Sequence, residues 1–352
     1  MSQPIKRRDR RPIRQRAPVL ILLAVVIIAG GVGAYMWSLS PPASSPGTAK
    51  SIIQIEPGAS LNDIAALLKS CGCLRSVSAF KLHAIATGQA SKLKSGTYEV
   101  SPEMSTPQLI AMLAAGRQAT VTVTIPEGFN LAQIAQRVAE AGLADEQQFQ
   151  AAATAQAVED ILQVKLPEGT RSAEGYLFPE TYRFTLGTPP EQLVARMITE
   201  FKKRFINKFW EPVPAEQRWG SLHQVVTLAS LVEGEAKLDS ERALIAGVLK
   251  NRLERGMHLE CDATVQYALG KHRRRLTYSD LQIDSPYNTY RYAGLPPGPI
   301  SNPGLDCLRA ALKPARTEYL FYVARGDGGH IFSRTYQEHL AAIRQVRGQA
   351  ER

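Results

Sequence analysis

The sequence predicts an α+β protein with a single N-terminal transmembrane helix, a small α+β module and a larger mixed α/β domain. Three observations support this class. A segment of 21 residues near the N-terminus has no charge, one strand–turn–helix phrase occurs twice, and the remaining apolar residues follow helical spacing in some segments and strand spacing in others. At 352 residues, 44% of them hydrophobic and 21% charged, the chain can form two globular domains.

The uncharged segment is predicted to span a membrane. It runs from Ala17 to Trp37 and, at about 1.5 Å per residue, is long enough to cross about 30 Å of hydrocarbon. Tyr35 and Trp37 lie near its end, where aromatic residues favour the membrane interface. A cleaved signal peptide is the alternative, but its apolar core is usually about 7–15 residues and no clear cleavage site follows here. We therefore expect an uncleaved anchor.

Positive charge is concentrated before this segment. Residues 1–16 contain seven Lys or Arg and one Asp, whereas Lys50 is the only basic residue in 38–50. The positive-inside rule then predicts a cytoplasmic tail at 1–16, an inner-membrane anchor at 17–37 and a periplasmic remainder. Without the tail the chain has 35 basic and 31 acidic residues, so the net charge falls from +10 to +4. This small excess argues against a nucleic-acid partner.

A small module is predicted at 51–116, after a linker at 38–50 whose Pro, Ser and Gly content is typical of a solvated segment. Alternating apolar residues indicate the strands of this module, and N-cap residues and terminating glycines indicate its helices. The predicted elements are a strand at Ile52–Ile55, a helix from Leu61 that stops at Gly72, a strand at Gly96–Val100 and a helix at Thr106–Leu113.

The first strand–turn–helix phrase recurs seventy residues later. The matched pairs are Ile55 and Ile125, Gly58 and Gly128, Leu61 and Leu131, Ile64 and Ile134, Ala65 and Ala135, and Gly72 and Gly142. Two copies are too few for a solenoid, so they indicate one small unit that is used twice. We expect both copies to serve packing.

The larger domain is predicted at 117–346, followed by a tail at 347–352. Its central part contains two helices, one running up to Glu233 and the other from a cap at Asp239 to Gly256. The other predicted elements are a strand at Val121–Ile125, helices at Leu131–Ala141, Asp145–Leu162 and Pro190–Phe209, strands at Tyr319–Ala324 and His330–Ser333, and a closing helix at Tyr336–Val346.

Glu233 is the candidate catalytic residue. It follows the apolar run from Val225 to Val232, at a position where the helical pattern would accept another aliphatic residue. A carboxylate among aliphatic side chains loses solvation of its charged form, so it can hold a proton near neutral pH, as a general acid must. The alternative is an ordinary structural glutamate at a helix end. Glu235 is the rival acid, but on a continuous helix it points about 200° away from Glu233, off the buried face.

Two segments have the polar and aromatic content that a carbohydrate cleft uses. Ser285–Gly304 is a long non-periodic stretch, which is typical of functional loops. Glu174–Tyr182 suits sugar stacking, although a hydrophobic plug with satisfied tyrosine hydroxyls is the more common use of such a segment. The four cations of Lys271–Arg275 could meet an anionic polymer, but a run of charge usually forms a solvated loop.

Metal and disulfide chemistry have little support in the sequence. The cysteines are Cys71, Cys73, Cys261 and Cys307, whose pairing cannot be read from their spacing. His330 and His339 have no clear third ligand nearby, so no metal site is predicted.

Taken together, several motifs resemble the YceG-like (MltG) endolytic murein transglycosylases of bacteria. The resemblance covers nearly the whole chain. The motifs that carry it are Glu174–Pro179, Ala229–Glu235, Asn251-Arg252-Leu253, Asp262-x-Thr264-Val265-x-Tyr267, Tyr287–Tyr290 and Gly294–Ile300. The chain departs from many relatives at Gly234, where a longer polar residue is common, and in carrying Cys71 and Cys73 in the small module.

The resemblance implies the chemistry of the site. Glu233 matches the family's catalytic acid, and the small module looks like a peptidoglycan-binding LysM domain. The implied substrate is the peptidoglycan glycan strand, without a metal or cofactor, and peptidoglycan synthases are possible partners. Weaker candidates for the substrate cleft are Glu235, Asp262, Thr264, Tyr267, Asn288, Thr289 and Tyr290.

A single carboxyl group agrees with this class of reaction. Glycosidases that recruit water normally need two carboxylates. A lytic transglycosylase uses the C6 hydroxyl of the sugar, so one group can first donate a proton and then accept one. The sequence therefore predicts termination of nascent strands by cleavage of the bond between MurNAc and GlcNAc, leaving 1,6-anhydro-MurNAc ends. A non-catalytic peptidoglycan-binding scaffold of the synthesis or division machinery is the alternative, and a metal hydrolase is a distant third.

Overall fold

The computed structural model describes residues 17–42, 49–271, 273 and 275–350. The predicted cytoplasmic tail at 1–16, linker residues 43–48, His272 and Arg274 of the basic loop, and residues 351–352 of the C-terminal tail lie outside the described residues. The chain forms two compact units, Met1–Ala119 and Thr120–Arg352. Helices and strands occur in both, as the predicted α+β class requires.

The first unit consists of an apolar N-terminal helix and a small module in which two helices lie between two strands in sequence. Its elements are α1 (Ala17–Leu39), β1 (Ser51–Ile55), α2 (Leu61–Ser70), α3 (Val77–Ala86), β2 (Gly96–Val100) and α4 (Thr106–Ala115). β1 and β2 pair antiparallel, with Ser51 opposite Val100. Tyr98 of β2 is fully buried between the helices, and its hydroxyl donates to the carbonyl of Lys94 at 2.9 Å.

Helix α1 has the length and apolarity of a membrane span over Pro18–Leu39, and its most apolar stretch of 18 residues is not buried by the rest of the protein. It extends two residues beyond the predicted end at Trp37. Leu39 is buried, and Nε of Arg75 donates to the carbonyl of Pro41 at 3.0 Å. The first residues of the predicted linker are therefore packed against the module instead of being solvated.

The second unit is mainly helical and has two antiparallel strand pairs, β3 with β4 and β5 with β6. Its strands are β3 (Thr120–Thr124), β4 (Thr181–Thr185), β5 (Phe321–Ala324) and β6 (His330–Ser333). Its helices are α5 (Leu131–Glu140), α6 (Glu146–Ala152), α7 (Ala155–Leu162), α8 (Pro190–Phe201), α9 (Leu222–Glu235), α10 (Arg242–Glu254), α11 (Asp262–Leu269), α12 (Leu305–Leu312) and α13 (Tyr336–Ala350).

The repeated phrase forms the same local structure twice, as predicted. β1 leads to α2 and β3 leads to α5 through turns at Gly58 and Gly128, whose φ angles are 82° and 77°. Both helices begin with a capping box, formed by Ser60 and Asp63 in the first copy and by Asn130 and Gln133 in the second. The matched isoleucines and alanines are buried in both copies, and the matched leucines Leu61 and Leu131 are partly buried in both.

Some predicted boundaries were wrong. The helix expected over Asp145–Leu162 is two helices, because Thr154 caps α7 with its hydroxyl and pairs with Ser172 in an isolated bridge. The helix expected over Pro190–Phe209 changes to π-helical geometry at Lys202–Trp210. Four elements were not foreseen, namely α3, β4, α11 and α12.

Helix α9 is the centre of the second unit. It contacts α10, α11 and α12, and most of its residues from Leu222 to Val232 are buried. A helix that is apolar on all sides is a core helix. Its internal hydroxyls have partners, since Thr227 donates to the carbonyl of His223 at 2.8 Å and Ser230 accepts from the amide of Ile300 at 3.0 Å. Glu233 therefore lies in the last turn of the most buried helix of the unit.

Candidate active site

The carboxyl group of Glu233 lies at the N-terminus of another helix. Glu233 is half-buried, and its Oε2 accepts a hydrogen bond from the amide of Gly304 at 2.8 Å. Gly304 is the N-cap residue of α12. Free amides and the helix dipole at such an end stabilise negative charge, so this position suits a carboxylate that forms after a proton has been donated.

A second carboxyl group, that of Glu127, meets the same glycine. A Cβ atom on Gly304 would lie 2.1 Å from Cδ and 2.2 Å from Oε1 of Glu127. Burial, followed by the negative charge of Glu233, raises the pKa of Glu127, and the positive charge of Arg242 opposes that increase. Two carboxyl groups at one site disfavour the doubly ionised state, so Glu127 favours its protonated form beside a charged Glu233.

The sequence contained a signal for Glu127 that went unused. The turn of the first strand–turn–helix copy reads Glu56-Pro57-Gly58, and that of the second reads Pro126-Glu127-Gly128. Glu127 thus occupies the position that Pro57 has in the first copy, where packing does not require a charged side chain. The next residue, Gly128, also belongs to the site, since a Cβ there would lie 3.4 Å from Cγ of Glu233.

The thiol of Cys307, in the first turn of α12, is the third group beside Glu233. Cys307 is buried. Burial, the charge of Glu233 and a hydrogen bond to Glu233 raise the pKa of this thiol. The thiol therefore stays protonated near neutral pH and donates to the Glu233 carboxylate.

A cavity of about 570 Å³ lies against α10 and α12, although neither Glu233 nor Glu127 lines it. Arg242 of α10 and Asp306 of α12 line it, and their side chains form an ion pair at 3.7 Å. The same guanidinium lies 3.1 Å from Asp239. Nε of Arg242 is itself buried and has no hydrogen-bond partner among the described residues.

Glu235 lies in a separate cluster, and the prediction that it falls off the buried face was wrong. It is half-buried, as Glu233 is. Burial, followed by the charge of Asp262, raises the pKa of Glu235 to about 7, while a hydrogen bond from Tyr322 opposes the increase. Asp262 in turn accepts a hydrogen bond from the hydroxyl of Tyr290 at 2.6 Å. The last turn of α9 therefore carries two protonatable carboxyl groups in different surroundings.

The end of α9 is close-packed between these two clusters. A Cβ on Gly234 would lie 2.7 Å from Cβ of Ala263 in α11. Glycine at this position thus permits the close approach of α9 and α11, which accounts for the absence of a longer side chain here.

Three of the weaker cleft candidates are buried and bonded within the protein. The hydroxyls of Thr264 and Thr289 lie 2.9 Å apart, and Thr289 also accepts from the amide of Cys261 at 3.0 Å. The amide nitrogen of Asn288 donates to the carbonyls of Leu281 and Ile283, both at 2.9 Å. These side chains hold the Ser285–Gly304 segment against α11 and leave no free polar atoms for a ligand.

Tyr267 leads to a buried acidic network that sequence reasoning did not single out. Its hydroxyl donates to Oε2 of Glu174 at 3.4 Å, and its ring packs against Tyr287 with centroids 4.9 Å apart. Glu174 also accepts from the amide of Leu131 at 3.0 Å and from the side-chain amide of Asn302 at 2.8 Å. Burial raises the pKa of Glu174 to about 7 even though these hydrogen bonds favour its charged form.

The aromatic segment that begins at Glu174 is a hydrophobic plug and not a sugar platform. Tyr176 and Tyr182 are buried. Their hydroxyls have internal partners, Nδ1 of His223 at 3.0 Å and the carbonyl of Phe178 at 2.6 Å. The network at Glu174 therefore holds together the backbone at Leu131 and the side chains of Tyr267 and Asn302.

Within the described part of the chain, no three or more His, Cys, Asp or Glu residues are grouped to hold a metal ion. Nδ1 of His330 bonds to Oε2 of Glu241 at 2.7 Å, and the ring of His339 stacks on Phe321. The four cysteines are free thiols.

Replacing Glu235 with Gln is expected to change how stability depends on pH. Because the folded protein raises the pKa of Glu235 from 4.5 to about 7, the folded state binds more protons than the unfolded state between these values. The parent chain should therefore lose stability as pH rises through this window, and the E235Q variant should lose less. Above pH 7 we expect the variant to be more stable by on the order of 2 kcal/mol, with the difference vanishing near pH 4.5. Urea unfolding from pH 4.5 to 8 measures this, and a difference independent of pH would contradict it.

Comparison with known proteins agrees with this architecture. The family described as YceG-like matches residues 53–345. A Bacillus subtilis protein named endolytic murein transglycosylase is 35% identical over 330 residues, covering 90% of this chain and 90% of its own length. A protein of the same name from Streptococcus pneumoniae strain D39 is 31% identical over 348 residues, covering 91% of this chain, which spans 62% of that relative.

A solved structure also resembles this chain. The 2.6 Å crystal structure of a YceG-like protein from Listeria monocytogenes is similar with a TM-score of 0.56 and 33% identity, covering 84% of this chain and 99% of that one. The fold and the match over most of the chain define a member of the YceG-like class. This chain belongs to the YceG-like family, as the motifs in its sequence indicated.

Proposed function

We propose that this protein is an endolytic peptidoglycan lytic transglycosylase. It cleaves the β-1,4 bond between MurNAc and GlcNAc within nascent glycan strands, leaves 1,6-anhydro-MurNAc ends and so terminates strand elongation. The observation that carries the proposal is the Glu233 carboxyl group, held by the Gly304 amide at 2.8 Å at the end of the buried helix α9 of a YceG-like chain. Incubation of the protein with uncrosslinked glycan strands, followed by mass spectrometry of the new ends, tests it.

Glu233 acts first as an acid and then as a base. Its protonated carboxyl group donates to the glycosidic oxygen, and the bond from that oxygen to the anomeric carbon breaks. The C6 oxygen of the same sugar then bonds to the anomeric carbon, and the Glu233 carboxylate takes the proton from that hydroxyl. No water is consumed and Glu233 returns to its starting form. The Gly304 amide and the Cys307 thiol stabilise the carboxylate between the two steps.

Glu127 supports this cycle from the other side of Gly304. Its carboxyl group favours a proton in the pair before the first step, because two adjacent negative charges repel. When the anomeric carbon becomes positively charged in the transition state, a negative charge nearby lowers the barrier. The guanidinium of Arg242 completes the site as a fixed positive charge that can bind the acetamido or lactyl oxygens of the strand.

The first unit anchors the enzyme and holds its substrate. Helix α1 spans the inner membrane with residues 1–16 in the cytoplasm, so that the catalytic unit is periplasmic and close to newly made strands. The module after it binds peptidoglycan as a LysM-like domain. The strand-helix-helix-strand order of β1, α2, α3 and β2 and the apolarity of α1 support this assignment. A peptidoglycan synthase is the expected source of the strands.

Replacing Gly304 with Ala separates the two carboxyl groups and should slow cleavage by about 10-fold to 100-fold. The new methyl group occupies the position of the Glu127 carboxyl, while the backbone φ of −67° and the hydrogen bond to Glu233 are retained. The rate of anhydro-end formation and the melting temperature are the measurements. Gly326→Ala is the matched control, because a Cβ on Gly326 meets nothing within 4 Å. Equal rates for G304A and the parent chain would remove Glu127 from the mechanism.

A further inference from the structure

Helix α3 in the first unit exposes two large aliphatic side chains on one face. Leu82 is 57% exposed and Ile85 is 63% exposed, and residues three apart on a helix are neighbours. The opposite face of α3 is fully buried, with Phe80 and Ala84 at 0%. The helix is thus apolar on its outer face as well as on its inner face, which is costly in water.

The end of α1 is fixed to this helix. The hydroxyl of Tyr35 lies 3.1 Å from Nδ1 of His83, the residue between Leu82 and Ala84. The guanidinium of Arg75, just before α3, lies 4.7 Å from the ring centroid of Trp37. With Leu39 buried in the module, the end of α1 and helix α3 form one packed structure.

The position of Tyr35 along α1 sets the height of α3 above the bilayer. Helix residues Pro18–Leu39 cover about 33 Å, slightly more than the roughly 30 Å of hydrocarbon. Tyr35 and Trp37 in the last turns then lie at the membrane boundary, where aromatic rings with a polar atom are favoured. Since His83 bonds to Tyr35, the neighbouring residues of α3 are held at the same level.

We propose that the outer face of α3 lies in the membrane surface beside the exit of α1, with Leu82 and Ile85 inserted among the lipids. An apolar helix face at the boundary between headgroups and acyl chains buries its area there. Helix α3 itself has no acidic residue, so it does not repel anionic headgroups. The face continues the membrane contact that α1 already makes.

This inference rests on the proposed anchoring of α1 but is independent of the chemistry at Glu233. It assigns the module a fixed position on the bilayer, in place of the tethered position that a solvated linker would give. Glycan strands that reach the module would therefore be bound at the membrane surface, next to the point where lipid-linked strands emerge.

The test introduces a tryptophan as a probe of depth. The full chain with Ile85→Trp is placed in bilayer nanodiscs whose lipids carry bromine on the acyl chains, which quenches nearby tryptophan. Ala66→Trp on α2 is the matched control, because Ala66 is also exposed on a helix of the same module. We expect the added fluorescence of I85W to be quenched at least about twofold more than that of A66W, and Leu82→Trp to behave like I85W.

Three outcomes decide the inference. Stronger quenching at both α3 positions supports it. The inference is overturned if I85W and L82W are quenched no more than A66W. If their fluorescence is instead blue-shifted in a concentration-dependent way without quenching, the face binds a second copy of the chain. Comparison of the parent with Trp37→Phe shows whether α1 itself is inserted. If bromolipids do not quench the Trp37 fluorescence of the parent chain, the anchor and this inference are both overturned. The result of the cleavage assay does not depend on this outcome.

Discussion

Replacing Glu233 with Gln is expected to abolish the formation of anhydro ends, with a loss of about 10³-fold or more. The amide is close in shape to the carboxyl and its oxygen can still accept from the Gly304 amide, so the fold should be unchanged. The amide cannot donate a proton to the glycosidic oxygen or take one from the C6 hydroxyl. The initial rate on uncrosslinked strands, measured by mass spectrometry, gives the effect, and circular dichroism confirms that the variant is folded.

Glu235→Gln is the matched control for this variant. Glu235 lies two residues further along the same helix, is also half-buried and has a pKa raised to about 7, which would suit a general acid. It is near Tyr322 and Asp262, and Asp262 accepts from Tyr290, whereas Glu233 is near Gly304 and Glu127. We expect E235Q to retain most of its activity. The reverse pattern, an active E233Q and an inactive E235Q, would move the acid to Glu235.

Replacing Asn302 with Ala is expected to destabilise the second unit by about 3–5 kcal/mol. Asn302 is fully buried and joins three segments. Its Oδ1 accepts from the amide of Leu177 at 2.8 Å, and its Nδ2 donates to the carbonyl of Phe129 at 3.0 Å and to Glu174 at 2.8 Å. Truncation leaves these buried groups without partners and leaves the Glu174 charge less compensated.

Urea unfolding monitored by tryptophan fluorescence measures this effect. Asn207→Ala removes the same side-chain amide at an exposed position and should change the free energy of unfolding by less than about 0.5 kcal/mol. Because the side chain of Asn302 holds the carbonyl of Phe129, the residue after Gly128, N302A should lower activity by displacing Gly128 from Glu233. A stability loss equal to that of N207A would show that the network at Glu174 is dispensable.

The sequence predicted the elements whose signals are local. Helical spacing up to Val232 located Glu233 at the end of a buried helix, and the repeated phrase located β1 with α2 and β3 with α5. Both signals depend on side chains within one element, where periodicity reports directly on burial.

Features that depend on long-range packing could not be predicted in this way. Gly304 bonds to Glu233 across 71 positions, and Glu127 reaches the same glycine from a turn that looked purely structural. The loop before α12, rich in Pro and Gly, concealed the start of that helix. Helix α3 lacks a one-sided stripe because Leu82 and Ile85 are exposed, so the amphipathic pattern that identifies most surface helices is missing.

The direction in which Glu235 faces shows a third limit. Helix geometry correctly separates it from Glu233 by about 200°, but on a helix packed on several sides both directions meet protein. Tyr322, from β5, covers the side of α9 that the sequence left open to solvent. Burial at the end of a core helix is thus decided by elements that lie far away in the sequence.

Cleavage in water enriched in ¹⁸O tests the central claim most directly. The account predicts that the new MurNAc ends are 1,6-anhydro sugars, lighter by one water than reducing ends, and that they carry no ¹⁸O. Reducing MurNAc ends that contain ¹⁸O would contradict it, because water would then be the nucleophile and Glu127 and Glu233 would form the carboxylate pair of a hydrolase.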